Sequence, residues 1–164
     1  MASDLKNLSL TEGTAVPSAE NMKFAIVCAE WNSEVTNALR DGAIAALLKH
    51  GAAKDSIETH AVPGSFELSL GAQYVAEHRD VDAIICLGCV IQGETKHFDF
   101  ICQAVATGIT HLNLKYNKPF IFGVLTCDNQ RQAMDRAGGK YGNKGEEAAI
   151  TAIKMIHLKE VLVA

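Results

Sequence analysis

One stretch limits the possible folds more than any other. Ala83–Leu87 is an unbroken apolar run that passes through Gly88-Cys89 and a turn at Gln92-Gly93 directly into a helical pattern. An apolar run without alternation predicts a strand covered on both faces, as in a parallel sheet. Downstream, Phe98, Ile101, Cys102, Val105 and Ile109 recur at three- and four-residue steps, the spacing of one helix face. Parallel strands need crossover connections, so similar strand-helix pairs are expected elsewhere in the chain.

They are present. Lys23–Ala29 reads as a first strand, followed by a helix that Asn32 or Ser33 can cap, with Val35, Leu39, Ala43 and Leu47 on its apolar side. That helix stops at Lys49-His50-Gly51. Ser56–Val62 alternates as a second strand, Pro63-Gly64 turns the chain, and Ser65 can cap a helix carrying Leu68, Gly71, Ala72 and Val75. Pro119–Leu125 is the fourth strand, leading into a short helix through Arg131 and Arg136 and then a glycine-rich basic loop, Ala137–Gly145. A last helix starts with Glu146 and Glu147, runs through Ile150, Ile153 and Ile156, and ends with His157 and Lys159, charges that match its dipole. Four such units predict an α/β fold in three layers, a doubly wound, four-stranded parallel sheet with helices on both faces. The expected domain spans residues 23–160. Residues 1–22, with Ser, Thr, Glu, Asn and Pro17 and little periodicity, read as a flexible or extended N-terminal arm.

In doubly wound sheets ligands bind beyond the carboxyl ends of the strands. The polar and aromatic punctuation falls there in all four units: Trp31-Asn32, Ser65-Phe66-Glu67, Glu94-Thr95-His97 and Thr126 with Asp128. At the third, Gly93–Lys96 leaves free N–H groups at a helix N-terminus, a place that favours an anion such as phosphate. His97 stands beside it, an imidazole able to move a proton near neutral pH. Gly88 and Gly93 have P-loop spacing, but Glu94-Thr95 follows the second glycine where that loop needs Lys and then Ser or Thr. Plainer readings exist for each residue. Glu67 suits a helix N-terminus on dipole grounds alone, Trp31 can cover the sheet end, and the basic loop can be a linker.

Composition narrows the partners. A formal net charge of −4 with dispersed Lys and Arg gives no footprint for nucleic acid or an anionic membrane. No apolar run approaches a membrane span, and the N-terminus lacks the order of a secretory leader, so a cytoplasmic protein is expected. Cys86 and Cys89 have C-x-x-C spacing, yet three residues apart on a strand they face opposite ways and cannot share a metal. No histidine spacing suggests ligands either, so no bound metal is expected.

Glu30-Trp31-Asn32, Val62–Glu67, Gly88–Phe98, Phe122–Thr126 and Arg136-Ala137-Gly138 with Gly142–Gly145 occur in register between residues 23 and 158. Together they closely resemble lumazine synthases. The resemblance implies the flavodoxin-like strand order and condensation of 5-amino-6-(D-ribitylamino)uracil with 3,4-dihydroxy-2-butanone 4-phosphate to 6,7-dimethyl-8-ribityllumazine, phosphate and water. No cofactor is implied. By the same resemblance Trp31 and Asn32 meet the pyrimidine, Ser65, Phe66 and Glu67 the ribityl chain, and backbone groups of Cys89, Val90 and Ile91 the heterocycle. Glu94, Thr95 and Arg136 would hold the phosphate and His97 carry protons. Phe122 would come from a neighbouring subunit, and Lys144 and Glu147 border the site. A homo-oligomer is implied, a pentamer or twelve pentamers in an icosahedral shell, with the arm added to a neighbour's sheet edge and riboflavin synthase as a further partner. Two departures stand out: Glu94 replaces a small or neutral residue, and Trp31 a more common Phe. A non-enzymatic flavin or lumazine carrier, or a shell protein, on the same fold is the competing reading. Arg136, His97 and the Gly93 turn favour the enzyme, because a carrier of unphosphorylated ligand needs no phosphate pocket.

Overall fold

Burial separates the central strands from the edges. β1 (Phe24–Ala29) is buried throughout and β3 (Ala83–Ile91) at all but its last two residues, whereas β2 (Ile57–Val62) is mostly half-exposed and β4 (Phe120–Cys127) exposes Phe122 and Thr126. In the computed structural model, which describes residues 15–164, these strands form one parallel sheet in the order β2-β1-β3-β4. That is the flavodoxin-like order. Phe24 pairs with Ala83 and Gly88 with Val124. The connection after β1 leads to β2 on one side and that after β2 to β3 on the other, so a crevice opens where the strand order reverses.

Helices cover both faces. α1 (Ser33–Lys49) and α5 (Lys144–Val163) supply Val35, Leu39, Ile153 and Ile156 to one core. α2 (Leu68–His78) and α3 (His97–Tyr116) supply Leu68, Ala72, Val105 and Ile109 to the other. Cys89 belongs to the first core and Cys86 to the second, as strand alternation requires. A Cβ on Gly145 would lie 1.8 Å from the Leu39 carbonyl oxygen, so α1 and α5 approach at a point only glycine permits.

The largest departure from expectation follows β4. α4 (Gln130–Met134) ends before Arg136, and the basic loop folds as an antiparallel hairpin of β5 (Ala137–Gly139) and β6 (Gly142–Asn143), with positive φ at Gly138 and Gly142. α5 then starts at Lys144, earlier than expected, because Asn143 Oδ1 accepts from the N–H groups of Gly145 and Glu146. It also runs on past Lys159. Of the expected arm, residues 1–14 lie outside the described residues. Ala19 and Met22 are buried in this chain's own core, and the Ala19 N–H donates to the His50 carbonyl at 2.8 Å.

Candidate active site

Backbone hydrogen bonds draw the strand ends together. Glu30 N–H donates to Val62 O at 2.8 Å and Trp31 N–H to Pro63 O at 3.1 Å, joining the β1 and β2 exits. Asn32 adopts the left-handed conformation at φ 59, which Asn tolerates better than most residues. Asn32, one of the two expected caps, stands at the cap position of α1, but its side chain makes no capping hydrogen bond. Asn32 Nδ2 instead donates to the Cys89 carbonyl at 2.9 Å and ties the β1 exit to β3.

Ser65 also fails to cap. It opens a 3₁₀ turn, Ser65–Glu67, closed by Glu67 N–H to Gly64 O at 3.2 Å, before α2 begins at Leu68. The turn lies directly over β3, and its buried Ser65 hydroxyl has no hydrogen-bond partner among the described residues. Only a glycine at position 88 leaves room for it, since a Cβ there would sit 2.6 Å from Ser65 Oγ.

These exits and the start of α3 enclose a cleft of about 650 Å³. Trp31, Asn32, Ser65, Phe66 and Glu67 line it from β1 and β2; Cys89, Val90, Ile91 and His97 line it from β3 and α3. Trp31 is 72% exposed at its rim. Burial, and secondarily the nearby Cys127, pushes the Cys89 thiol up to about 12, so it is a neutral wall group and no nucleophile. Glu94 and Thr95 lie on the exposed turn just before His97, outside the lining, with the Thr95 hydroxyl accepting from the His97 N–H at 3.4 Å. The N–H groups of Gly93, Glu94, Thr95 and Lys96 have no partner among the described residues. Gly64, Phe100 and Ile101 complete the wall, though the sequence reading did not assign them to the site. Phe100 could have been found: it lies three residues after His97 and off the Val105–Ile109 core stripe.

The remaining predicted residues are elsewhere. Phe122, Arg136 and Lys144 line a second cleft, about 570 Å³, along the open edge of β4. Arg136 Nη1 donates to Gln132 O at 2.9 Å, and Lys144 Nζ lies 2.5 Å from Glu147 Oε1. Within one chain Arg136, expected to grip the phosphate, therefore lines a different cleft from His97. Ala133 and Ala137, flanking the Arg136 segment, pack in the α1/α5 core, whereas α3 packs on the opposite face of the sheet.

The chain therefore carries two clefts, one at the sheet end with aromatic, carboxylate and imidazole groups and one along the β4 edge with basic and aromatic groups. The residue pattern of 6,7-dimethyl-8-ribityllumazine synthase matches residues 21–160. The chain belongs to the 6,7-dimethyl-8-ribityllumazine synthase family. The 6,7-dimethyl-8-ribityllumazine synthase of Cytophaga hutchinsonii is 63% identical over 156 residues, covering 95% of this chain and 98% of that protein. That of Parabacteroides distasonis is 53% identical over 157 residues, covering 96% and 98%, and that of Phocaeicola vulgatus 49% over 162, covering 99% and 96%. As a lumazine synthase family member, the chain is a transferase of riboflavin biosynthesis, and the carrier and shell readings are not favoured. Among the described residues no helix is long and apolar enough to cross a membrane, and no cluster of His, Cys, Asp and Glu is gathered to hold a metal ion.

Proposed function

We propose that 5-amino-6-(D-ribitylamino)uracil and 3,4-dihydroxy-2-butanone 4-phosphate condense at a site built from the sheet-end cleft of one copy and the β4-edge cleft of its neighbour. The observation carrying this reading is the division itself. One cleft has the imidazole, with the free helix-start N–H groups on the turn just before it, but no guanidinium, and the other has Arg136, Lys144 and the 44% exposed Phe122. Each cleft has the groups that the other lacks.

In the joined site Trp31 and the neighbour's Phe122 take the two faces of the pyrimidine. Ser65, Phe66 and Glu67 hold the ribityl chain, with Asn32 keeping the β1 and β3 exits in register. Backbone groups of Cys89, Val90 and Ile91 meet the heterocycle edge. The turn at Glu94 and Thr95 offers its N–H groups to the phosphate, and the Glu94 carboxylate turns outward to avoid repulsion. Arg136 grips the same phosphate with paired hydrogen bonds, and Lys144, held by Glu147, adds positive charge. The substrate's primary amine attacks the ketone carbon to form a carbinolamine. Loss of water gives an imine, elimination releases phosphate, and ring closure with loss of a second water gives the lumazine. No step needs a covalent bond to the enzyme, a metal or a redox cofactor. His97 takes a proton from the attacking amine and returns protons to the departing water. Holding both substrates on one surface supplies much of the acceleration.

The same reading makes the working unit a homo-oligomer, a pentamer that assembles into an icosahedral shell, in the cytoplasm. Riboflavin synthase consumes the product. Mixed oligomers test the site. A chain carrying W31A and H97A and a chain carrying R136A are each expected to turn over far more slowly than wild type, while co-expression restores about one site in four, because some interfaces pair two intact clefts. Absence of any recovery in well-formed mixed oligomers would refute a site shared between copies.

A further inference from the structure

The hairpin after α4 places an aromatic ring against the guanidinium that the proposed reading assigns to phosphate. Tyr141 follows the β5 strand, and its N–H donates to Asp135 O at 2.7 Å, while Lys144 N–H donates to Arg136 O at 2.9 Å. These two bonds fold the hairpin back over Arg136. The Arg136 Cζ then lies 4.9 Å from the Tyr141 ring centroid, with the Lys140 ammonium 5.0 Å from the same ring. From the other side Arg136 Nη1 donates to the Gln132 carbonyl at 2.9 Å. Gln132 is itself fixed, donating its N–H to Asn129 Oδ1 at 3.0 Å and exchanging two 3.0 Å bonds with Asp128.

We propose that Tyr141 is a positioning residue for phosphate recognition, holding the Arg136 guanidinium flat so that its free N–H edge faces the β4-edge cleft. This deepens the two-cleft reading and rests on it. Arginine has several rotatable bonds and loses their freedom when it grips an anion. A guanidinium already fixed by a carbonyl at one nitrogen and a ring on one face has less freedom to lose, and its remaining donors keep a fork suited to phosphate. The contribution of such a stacked contact at a partly exposed site corresponds to about a two- to fivefold change in binding.

The experiment compares wild type, Y141A, Y141F, R136A and the Y141A/R136A double variant. It measures KM for each substrate, kcat, inhibition by inorganic phosphate, and the melting temperature. Y141A is expected to raise KM for the phosphorylated substrate and the phosphate inhibition constant about two- to fivefold, with kcat and KM for the pyrimidine little changed. Y141F, which keeps the ring, restores both constants. In the R136A background Y141A adds nothing further. An equal loss from Y141A with and without Arg136, or a Y141F as impaired as Y141A, overturns the positioning role while leaving the two-cleft site standing. An R136A enzyme with unaltered phosphate inhibition overturns the two-cleft reading, and the role of Tyr141 with it.

Discussion

Gly88→Ala tests how strictly the fold sets the shape of the cleft. The added Cβ would lie 2.6 Å from Ser65 Oγ, 2.9 Å from Leu68 Cδ1 and 3.3 Å from Ser65 Cβ. Rotating the Ser65 hydroxyl relieves only the first of these. Leu68 is fully buried, so it has no free space to enter, and the 3₁₀ turn must lift from β3. Inserting a methyl into a packed core costs about 1–3 kcal/mol. For a domain of this size each kcal/mol lowers the melting temperature by about 2–4 °C, so a fall of roughly 2–12 °C is expected. The lifted turn carries Ser65, Phe66 and Glu67, so KM for the ribitylaminouracil should rise well before KM for the phosphorylated substrate does. Thermal melts by circular dichroism, with steady-state kinetics varying each substrate in turn, measure both effects. Gly93→Ala is the control for stability, since a Cβ there meets nothing within 4 Å and melting should not move. A Gly88→Ala protein that melts with wild type and keeps both KM values would refute the claim that this turn has no slack.

Two further outcomes follow, one from the site and one from the buried thiols. His97→Ala should lower kcat about 10- to 100-fold, at the low end of general acid–base effects, with an unchanged melting temperature, because His97 is exposed and its ring supports no core contact; complete loss of turnover with intact substrate binding would show that the imidazole does more than ferry protons. Burial raises the Cys86 and Cys89 thiols from 9.0 to about 12, so unfolded thiols ionise while folded ones cannot. Stability is therefore fully present below about pH 9 and is lost as pH climbs toward about 12. Melting temperatures across that range should fall more steeply for wild type than for C86A/C89A, and parallel slopes would contradict this.

The sheet was legible in the sequence because central parallel strands are buried on both faces, and Ala83–Leu87 and Phe24–Ala29 show that directly as uninterrupted apolar runs. The sheet-end cleft was legible for a related reason: polar residues at strand exits must converge once the strands are parallel and in register. Local capping was not. Asn32 and Ser65 have cap chemistry at cap positions, but the left-handed backbone at Asn32 and the 3₁₀ turn at Ser65 give those side chains other surroundings. Tertiary position decided between two local options that are close in energy. Nor does spacing reveal that Arg136 and Thr95 are apart. Both follow strands that end side by side, Ile91 pairing with Cys127, but the chain leaves β3 toward the α2/α3 face and β4 toward the α1/α5 face. Which face a connection takes depends on the packing of the whole helix that follows.

That divergence has a thermodynamic consequence if the two clefts of different copies do form one site. β4 is an edge strand with exposed Phe122 and Thr126 at its surface, and an open edge left unpaired invites association. Pairing the edge cleft with a neighbour's sheet-end cleft would cover that aromatic and place Arg136 across from the free N–H groups near Thr95 in the same event. Phosphate bound between them then contacts both copies, so by linkage it must stabilise the assembly by as much as assembly strengthens its binding. Substrate affinity and subunit affinity would be two measurements of one coupling. Removing Arg136 should weaken both, whereas removing His97, which touches the substrate from one copy only, should leave assembly intact.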